Sequence, residues 1–159
     1  MFKLIEGLIR LVGLSGNIAE VDGSGRVLVS APPPTPPAGT NPQSVTEFDD
    51  VSANSADYNY FLIPNTEVIT LQNLQGSSEG NTKETYVAIW HDPTGTNATG
   101  DDADASWELI AIGFTNISNI NFDLNNEFTG DGTARIVLQR RRLDSGARLV
   151  FARWQGFSQ

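Results

Sequence analysis

A run of prolines divides this sequence into two unequal parts. Six of the eight prolines lie in residues 31–42, Ala-Pro-Pro-Pro-Thr-Pro-Pro-Ala-Gly-Thr-Asn-Pro. Because the proline ring fixes φ, such a run favours an extended polyproline spacer, which at about 3.1 Å per residue spans roughly 35 Å over this length. We therefore expect an N-terminal anchor over residues 1–30, a proline-rich linker over 31–42 and a folded domain over 43–159.

The folded domain is predicted to be all-β. Short runs of alternating apolar and polar residues are separated by turn formers such as Gly130-Asp-Gly132. In the fifth run, alternation places Ile110, Ile112 and Phe114 on one face. Eight such runs predict a β-sandwich of the jelly-roll type, and an immunoglobulin-like sandwich of about seven strands is the alternative. The predicted strands cover residues 44–49, 58–63, 66–74, 84–91, 106–114, 118–124, 133–141 and 146–155.

The N-terminal anchor combines a helix with a β-hairpin in our prediction. Residues 1–14 are apolar at helical spacing, with Lys3, Glu6 and Arg10 on the polar side, and predict a short amphipathic helix. The same charges interrupt any secretory apolar region, so no signal peptide is expected, and the segment is shorter than a membrane span. Two β-rich runs around the glycine-containing turn at 23–25 predict a hairpin arm over 15–30.

The apolar face of the predicted helix needs a cover. It packs on its own domain, docks on a partner protein or lies on a membrane surface, and docking is our leading interpretation because the few basic residues do not favour a membrane. The residues expected to dock are Phe2, Leu4, Ile5, Leu8, Ile9, Leu11 and Val12.

Composition weighs against most catalytic and metal-dependent classes. The chain has no cysteine and one histidine, so disulfide scaffolds, zinc fingers, iron–sulfur proteins and thiol enzymes are excluded, and a catalytic triad would have only His91 to use. No cofactor is expected. The formal charge of -9 argues against a general nucleic-acid binder.

A few residues nevertheless deserve a chemical interpretation. Asp101, Asp102 and Asp104 are weak candidates for a Ca²⁺ site, although the EF-hand spacing is not met, and a solvated acidic loop is the simpler interpretation. Carboxylates predicted on strands could serve a hydrolase, and the tryptophans could form a sugar platform, although core packing is their commoner role. These residues are Glu67, Glu84, Glu108, Trp90, Trp107 and Trp154.

Charge is segregated along the chain. Residues 31–134 contain 15 acids and one lysine, a net charge of -14, whereas residues 135–159 contain six arginines and one aspartate, a net charge of +5. Arginines on neighbouring strands need acidic partners, because like charges on adjacent strands are destabilising. Those partners lie within the domain or on a neighbouring subunit. The subunit-interface candidates are Arg135, Arg140, Arg141, Arg142, Arg148 and Arg153.

The layout resembles small structural proteins of tailed-bacteriophage virions. The segment Ala19-Glu-Val-Asp-Gly-Ser-Gly-Arg-Val-Leu-Val-Ser30 is similar to an E-V-D-x-x-G-R-L phrase near the N-termini of such proteins. The segment Arg148-Leu-Val-Phe-Ala-Arg-Trp-Gln-Gly-Phe157 is similar in style to strands that close jelly-roll knobs. The resemblance implies a non-enzymatic head decoration (cement) protein, made in the host cytoplasm and located on the capsid surface.

The resemblance also implies partners. These are the major capsid protein, bound through the N-terminal arm, and further copies of the chain, as a homotrimer; neither nucleic acid nor membrane is expected. The alternative function is a receptor- or glycan-binding knob of a fibre or tail protein, with residues 75–83 and 92–105 as the contact loops.

Overall fold

The structure, a computed structural model, describes most of the chain after residue 39. The described residues are 10–12, 18–21, 27–30, 40–79, 85–115, 119–146 and 148–159, with the backbone alone for the first three segments and for Arg148. The chain divides into two compact units, Met1–Pro37 and Ala38–Gln159. Within the described residues, no helix is long and apolar enough to cross a membrane.

The first unit contains a three-stranded antiparallel sheet. Its strands are β1 (Arg10–Val12), β2 (Ile18–Val21) and β3 (Val27–Ser30), in that order. β2 and β3 pair as expected for the predicted hairpin arm, with Ile18 opposite Ser30. The predicted helix is wrong over Arg10–Val12, because these residues pair with β2 and so form a ladder with another strand rather than bonds along a helix.

The rest of the predicted helix lies outside the described residues. This holds for five of the seven docking candidates, Phe2, Leu4, Ile5, Leu8 and Ile9, whereas Leu11 and Val12 lie on β1. The predicted linker also lies mostly outside the described residues, but its last two residues begin the first strand of the second unit, where Pro42 is opposite Phe157. That strand is an edge strand, which tolerates a proline.

The second unit is all-β, with eight strands in two four-stranded antiparallel sheets. Each overlaps one of the eight runs predicted from alternation. They are β4 (Asn41–Val51), β5 (Ala56–Leu62), β6 (Val68–Ser78), β7 (Thr85–Asp92), β8 (Glu108–Phe114), β9 (Ile120–Thr129), β10 (Arg135–Arg142) and β11 (Arg148–Ser158).

Strand pairing follows a nested order. One sheet is β4-β11-β6-β9 and the other is β5-β10-β7-β8. The first strand of the unit therefore pairs with the eighth, the second with the seventh, the third with the sixth and the fourth with the fifth. Four strands in each sheet differ from the seven-stranded immunoglobulin-like alternative.

The core lies between the two sheets and follows the two-residue period of the strands. On β11, Val150, Ala152 and Trp154 are all fully buried, as alternation requires. Trp154 packs edge-to-face on Phe61 of the other sheet, with ring centroids 5.1 Å apart. Both sheets contribute to one buried cluster, so burial of these side chains joins the layers.

A bulge changes the face assignment on β8. Ala111 is opposite Ile89 and Leu109 is opposite Trp90, so Ile110 is the extra residue. Ile110 and Ala111 pack against the core, whereas Leu109, Ile112 and Phe114 are exposed. The expectation that Ile110 shares a face with Ile112 is therefore wrong, because the bulge interrupts the alternation.

Candidate functional site

The arginines of β10 have acidic partners inside the same unit. The Nε and Nη2 atoms of Arg135 both donate to one oxygen, Oδ2 of Asp92, at 2.8 and 2.6 Å, which makes two charge-assisted hydrogen bonds. The guanidinium lies 4.4 Å from the ring centroid of Tyr60, and its Nη1 donates to Oδ1 of Asn97 at 2.8 Å. Arg135 therefore links β7, β5 and the loop after β7.

Asp92 organises that loop. Its Oδ1 accepts hydrogen bonds from the Thr94 amide at 3.0 Å, the Thr94 hydroxyl at 3.1 Å and the Gly95 amide at 3.0 Å. Burial raises the pKa of Asp92, but hydrogen bonds from Arg135 and Thr94 and the charge of Arg135 outweigh it, so the pKa lies below its ordinary value. The sequence placed Asp92 only at the start of the predicted contact loop 92–105 and not beside Arg135. The signal for its bonds within the loop was Asp-Pro-Thr-Gly, a turn in which aspartate bonds the following amides.

Two further arginines are buried. Arg140 donates through Nη1 to the Val150 carbonyl at 3.0 Å and lies 3.4 Å from Asp57 and 3.7 Å from Glu47. Arg142 is fully buried and donates to Oδ1 of Asp144. The acidic partners of Arg135, Arg140 and Arg142 therefore belong to the same domain, which is one of the two arrangements that the sequence left open.

The remaining arginine candidates are more accessible or not described. Arg141 lies 3.3 Å from Asp102, whose side chain is 91% exposed, so this pair contributes little. Arg153 is half-buried on β11. The side chain of Arg148 lies outside the described residues. A subunit interface at these positions stays a prediction.

The loop between β7 and β8 covers an aromatic cluster on the outer face of one sheet. Trp107 is buried, with ring centroids 5.7 Å from Tyr58, 5.9 Å from Tyr60 and 6.4 Å from Trp90. Its Nε1 donates to the Thr96 carbonyl at 3.0 Å. Burial raises the pKa of Tyr58 to about 12, against the lowering effect of the Gln139 hydrogen bond. These aromatic rings pack internally and do not form an open sugar platform.

The three Ca²⁺ candidates do not converge. Oδ1 of Asp101 accepts from the Ala56 amide at 3.0 Å, Asp102 faces Arg141, and Oδ1 of Asp104 accepts from the Ser106 amide at 2.9 Å. Among the residues that the structure describes, no group of three or more acidic or histidine side chains is placed to hold a metal ion. Each carboxylate instead accepts from a backbone amide or meets an arginine.

The candidate catalytic residues have structural surroundings. His91 stacks on Phe128 at 4.4 Å between ring centroids, and its Nδ1 lies 3.3 Å from Glu108. Glu67 belongs to the turn before β6 rather than to a strand, and Glu84 lies outside the described residues. Of these candidates, the structure brings only His91 and Glu108 into contact.

Two shallow grooves adjoin on the outer face of the β4-β11-β6-β9 sheet. One, of about 350 Å³, is lined by Phe48, Ser77, Ser78, Glu79, Leu149 and Phe151. The other, of about 250 Å³, is lined by Gln75, Gly76, Ser77, Asn119, Ile120, Asn121 and Phe151. Ser77 and Phe151 belong to both. Phe48 is opposite Phe151 in the register and is 67% exposed, so aromatic, amide and hydroxyl groups meet on one open surface.

The sequence predicted one part of this surface, the segment 75–79, and missed the two phenylalanines. Residues 75–79 fall within the predicted contact loop 75–83, although the structure extends β6 through Ser78. Phe48 and Phe151 were not singled out. A lone aromatic residue among polar neighbours at an outer position of β4 was the available signal, and only strand pairing places it beside Phe151.

Comparison with solved structures gives several matches, of which three are structures of one virus. No protein-family model and no curated protein matches the sequence. A structure of infectious bursal disease virus strain Gx is 9% identical, with a TM-score of 0.43, over 90% of this chain and 41% of that chain. A structure of strain Gt is 8% identical with a TM-score of 0.27, over 93% and 50% of the two chains.

A third neighbour is the crystal structure of the T13 particle of the same virus. It is 10% identical, with a TM-score of 0.28, over 95% of this chain and 44% of that chain. This chain thus spans half or less of the length of all three neighbours. Similarity of this degree identifies no function, which must be argued from the chain's own residues.

Proposed function

We propose that this chain is a non-enzymatic structural protein of a tailed-bacteriophage particle. It decorates and stabilises the capsid by binding major capsid subunits through residues 1–30, with the β-domain projecting outward and further copies as partners. The observation that supports this most is the division into two separately packed units, Met1–Pro37 and Ala38–Gln159, around a run of prolines. A spacer of that kind suits a protein that holds a domain away from the surface it binds.

The strand order supports a finer description of that domain. We propose that it is a jelly roll, because eight strands in two sheets pair first with last, second with seventh, third with sixth and fourth with fifth. In this order each hairpin encloses the next, as expected for one long hairpin wrapped into two Greek keys. Such a domain has its own core and needs no partner to bury it.

Stabilisation of the capsid would follow from mass action. A protein that binds the assembled lattice and not free subunits shifts the equilibrium towards the lattice. The first unit offers a means of attachment, because β1 and β3 each pair with β2 alone among the described strands. Each therefore presents a backbone edge that can extend a neighbouring sheet. Apolar residues before β1 would add buried area.

The test measures binding of the full-length chain to capsids from which this protein has been removed. Ile9→Asp places a charge on the apolar side of the anchor and should reduce co-sedimentation at least tenfold. Lys3→Asp, which introduces the same residue on the predicted polar side, is the matched control and should bind as the parent chain does. Equal binding of both variants would contradict the anchor proposal.

A truncation offers a second test, and the structure moves its boundary. Asn41 and Pro42 belong to β4, so the cut should fall before Ala38 rather than after Pro42. We expect residues 38–159 to fold and to lose capsid binding. Binding of that fragment with the parent affinity would assign attachment to the β-domain instead.

The grooves on the β4-β11-β6-β9 face support a second candidate, a glycan-binding knob. Exposed aromatic rings beside amides and hydroxyls are suited to sugars, which present both apolar faces and hydroxyl groups. This candidate corresponds to the alternative function with residues 75–83 as a contact loop, and its groove is lined by Phe48 and Phe151. Phe151→Ala should abolish hits on a glycan array, whereas Leu62→Ala, on the other sheet, should retain them. An array without hits for the parent chain would reject this candidate.

A further inference from the structure

The exposed large apolar residues are concentrated on one edge strand. Seven such residues are exposed in the described part of the chain, and three lie on β8: Leu109 at 49%, Ile112 at 38% and Phe114 at 52%. β8 ends its sheet and, among the described residues, pairs only with β7. A strand of this kind presents both unpaired backbone groups and apolar side chains, the combination that invites pairing with another strand.

The surface beside β8 is also uncharged. From Leu109 to Phe114 the strand contains no charged residue. On β7, the residues opposite the exposed side chains are Tyr86, Ala88 and Trp90. The Tyr86 ring packs against Phe114 with centroids 5.8 Å apart, so the apolar surface continues from one strand to the next.

The other edge strands of the sandwich are protected. β4 contains Pro42 and the acids Glu47, Asp49 and Asp50. β9 contains Asp123 and Glu127, and antiparallel self-pairing centred between them would place these acids opposite each other.

The fourth edge strand, β5, is engaged within the chain. Tyr58 and Tyr60 contact Trp107, and the Tyr60 hydroxyl accepts a hydrogen bond from the Ala98 amide at 3.1 Å. Its outer side chains are therefore partly covered by the β7–β8 loop. β8 is the edge whose apolar side chains have neither charge nor a covering loop among the described residues.

We propose that β8 is a self-association surface, on which β8 of a second copy pairs antiparallel about a two-fold axis. The two four-stranded sheets then form one eight-stranded sheet, with the exposed side chains of both copies on the same face. This inference deepens the self-association in the proposed function, and it assigns a dimer contact rather than the three-fold contact that the resemblance implies.

Repulsion between two copies is smallest at this edge. Each chain has a formal charge of -9, so two copies repel at most approaches, and the uncharged β8 edge minimises that repulsion. Glu108 is the one charged residue of β8. With the axis near Ala111, the two Glu108 residues lie about 20 Å apart, at about 3.3 Å per residue. This distance exceeds the screening length of about 8 Å at physiological salt.

The experiment measures the mass of the full-length chain in solution by sedimentation, over roughly 1–100 µM. The parent chain should approach twice its 17.2 kDa mass as concentration rises. Ile112→Lys should raise the dimer dissociation constant at least tenfold. Leu62→Lys, at a 51% exposed position on β5, is the matched control and should dimerise as the parent does. If Ile112→Lys does not fold, Leu109→Lys replaces it.

Cross-linking tests the two-fold geometry, because the chain has no cysteine of its own. A short bis-maleimide should link Ile112→Cys into a covalent dimer and should form no covalent dimer of Leu62→Cys, seen on a denaturing gel. A parent chain that is monomeric throughout, a trimer, or a dimer that persists in both lysine variants would overturn the proposal. None of these results depends on capsid binding, so failure here is separable from failure of the decoration proposal.

Discussion

Replacing Asp92, the buried last residue of β7, by asparagine should strongly destabilise the second unit. The substitution keeps the side-chain volume and removes the charge that Arg135 meets at 2.6 and 2.8 Å. An asparagine oxygen turned towards the loop amides would point its NH2 group at the guanidinium, so donors would face donors. Asp92 is fully buried and the Arg135 side chain is 13% exposed, so water does little to solvate the orphaned charge.

The expected magnitude follows from that burial. Breaking a buried pair by removing one partner costs about 3–5 kcal/mol. Urea denaturation followed by tryptophan fluorescence should show a midpoint lower by about 2 M, for a slope near 2 kcal/mol/M. Asp50→Asn, at an exposed position on β4, is the matched control and should change the free energy of unfolding by less than about 0.5 kcal/mol.

The pH dependence of the unfolding free energy tests whether the charge of Asp92 is the cause. Because the folded pKa of Asp92 lies below the ordinary value of 3.8, its ionised form stabilises the fold above that pH. This contribution disappears as pH falls through the folded pKa. The difference in unfolding free energy between parent and Asp92→Asn should therefore be largest near neutral pH and shrink below pH 3.8. A difference below about 1 kcal/mol at pH 7, or one that does not shrink in acid, would refute the reasoning.

Three further predictions follow from single contacts. Gly130→Ala should lower the free energy of unfolding by at least about 1–3 kcal/mol in urea, because an added Cβ would lie 2.0 Å from the Pro64 carbonyl oxygen; an unchanged midpoint would contradict this. Trp107→Ala should cost about 3–5 kcal/mol and expose the β7–β8 loop to proteolysis, and a loop that remains protected would count against its role. Asp131→Ala should lower the melting temperature more at pH 7 than at pH 2, because the amide of Ala134 and the hydroxyl and amide of Thr133 hold the pKa of Asp131 at about 2, where the carboxylate is partly protonated. An equal loss at both pH values would contradict that assignment.

Alternation of apolar and polar residues was enough to locate the strands of the β-domain, but it did not show which strands pair or where a bulge interrupts them. The buried set Val150, Ala152 and Trp154 follows directly from a period of two, because a sheet that packs one face on a second sheet buries alternate residues. On β8 the same reasoning misplaced Ile110, since a bulge depends on the partner strand and leaves no mark in the period. The helix over 1–14 was wrong at Arg10–Val12 for a related reason, because a neighbouring strand decides whether an apolar run pairs.

For the candidate site, the sequence supplied the charges and not the pairs. It showed six arginines late in a chain whose acids come earlier, and it left the partners open between the same domain and a neighbour. The structure places Arg135 on Asp92, 43 residues away, and Arg140 beside Asp57, 83 residues away. Docking by the anchor and an oligomer in the particle stay predictions, since neither depends on contacts within the described residues.

By itself, the sequence determined an all-β domain of eight strands after a run of prolines, because period and turn chemistry act locally. Only the tertiary structure decided the nesting of first strand with last, the burial of Arg140 and Arg142, and the exposure of Leu109, Ile112 and Phe114. These features depend on which strand lies beside which, and β4 meets β11 across almost the whole length of the domain. Pairing over such separations is decided by burying one shared core, which no local pattern encodes.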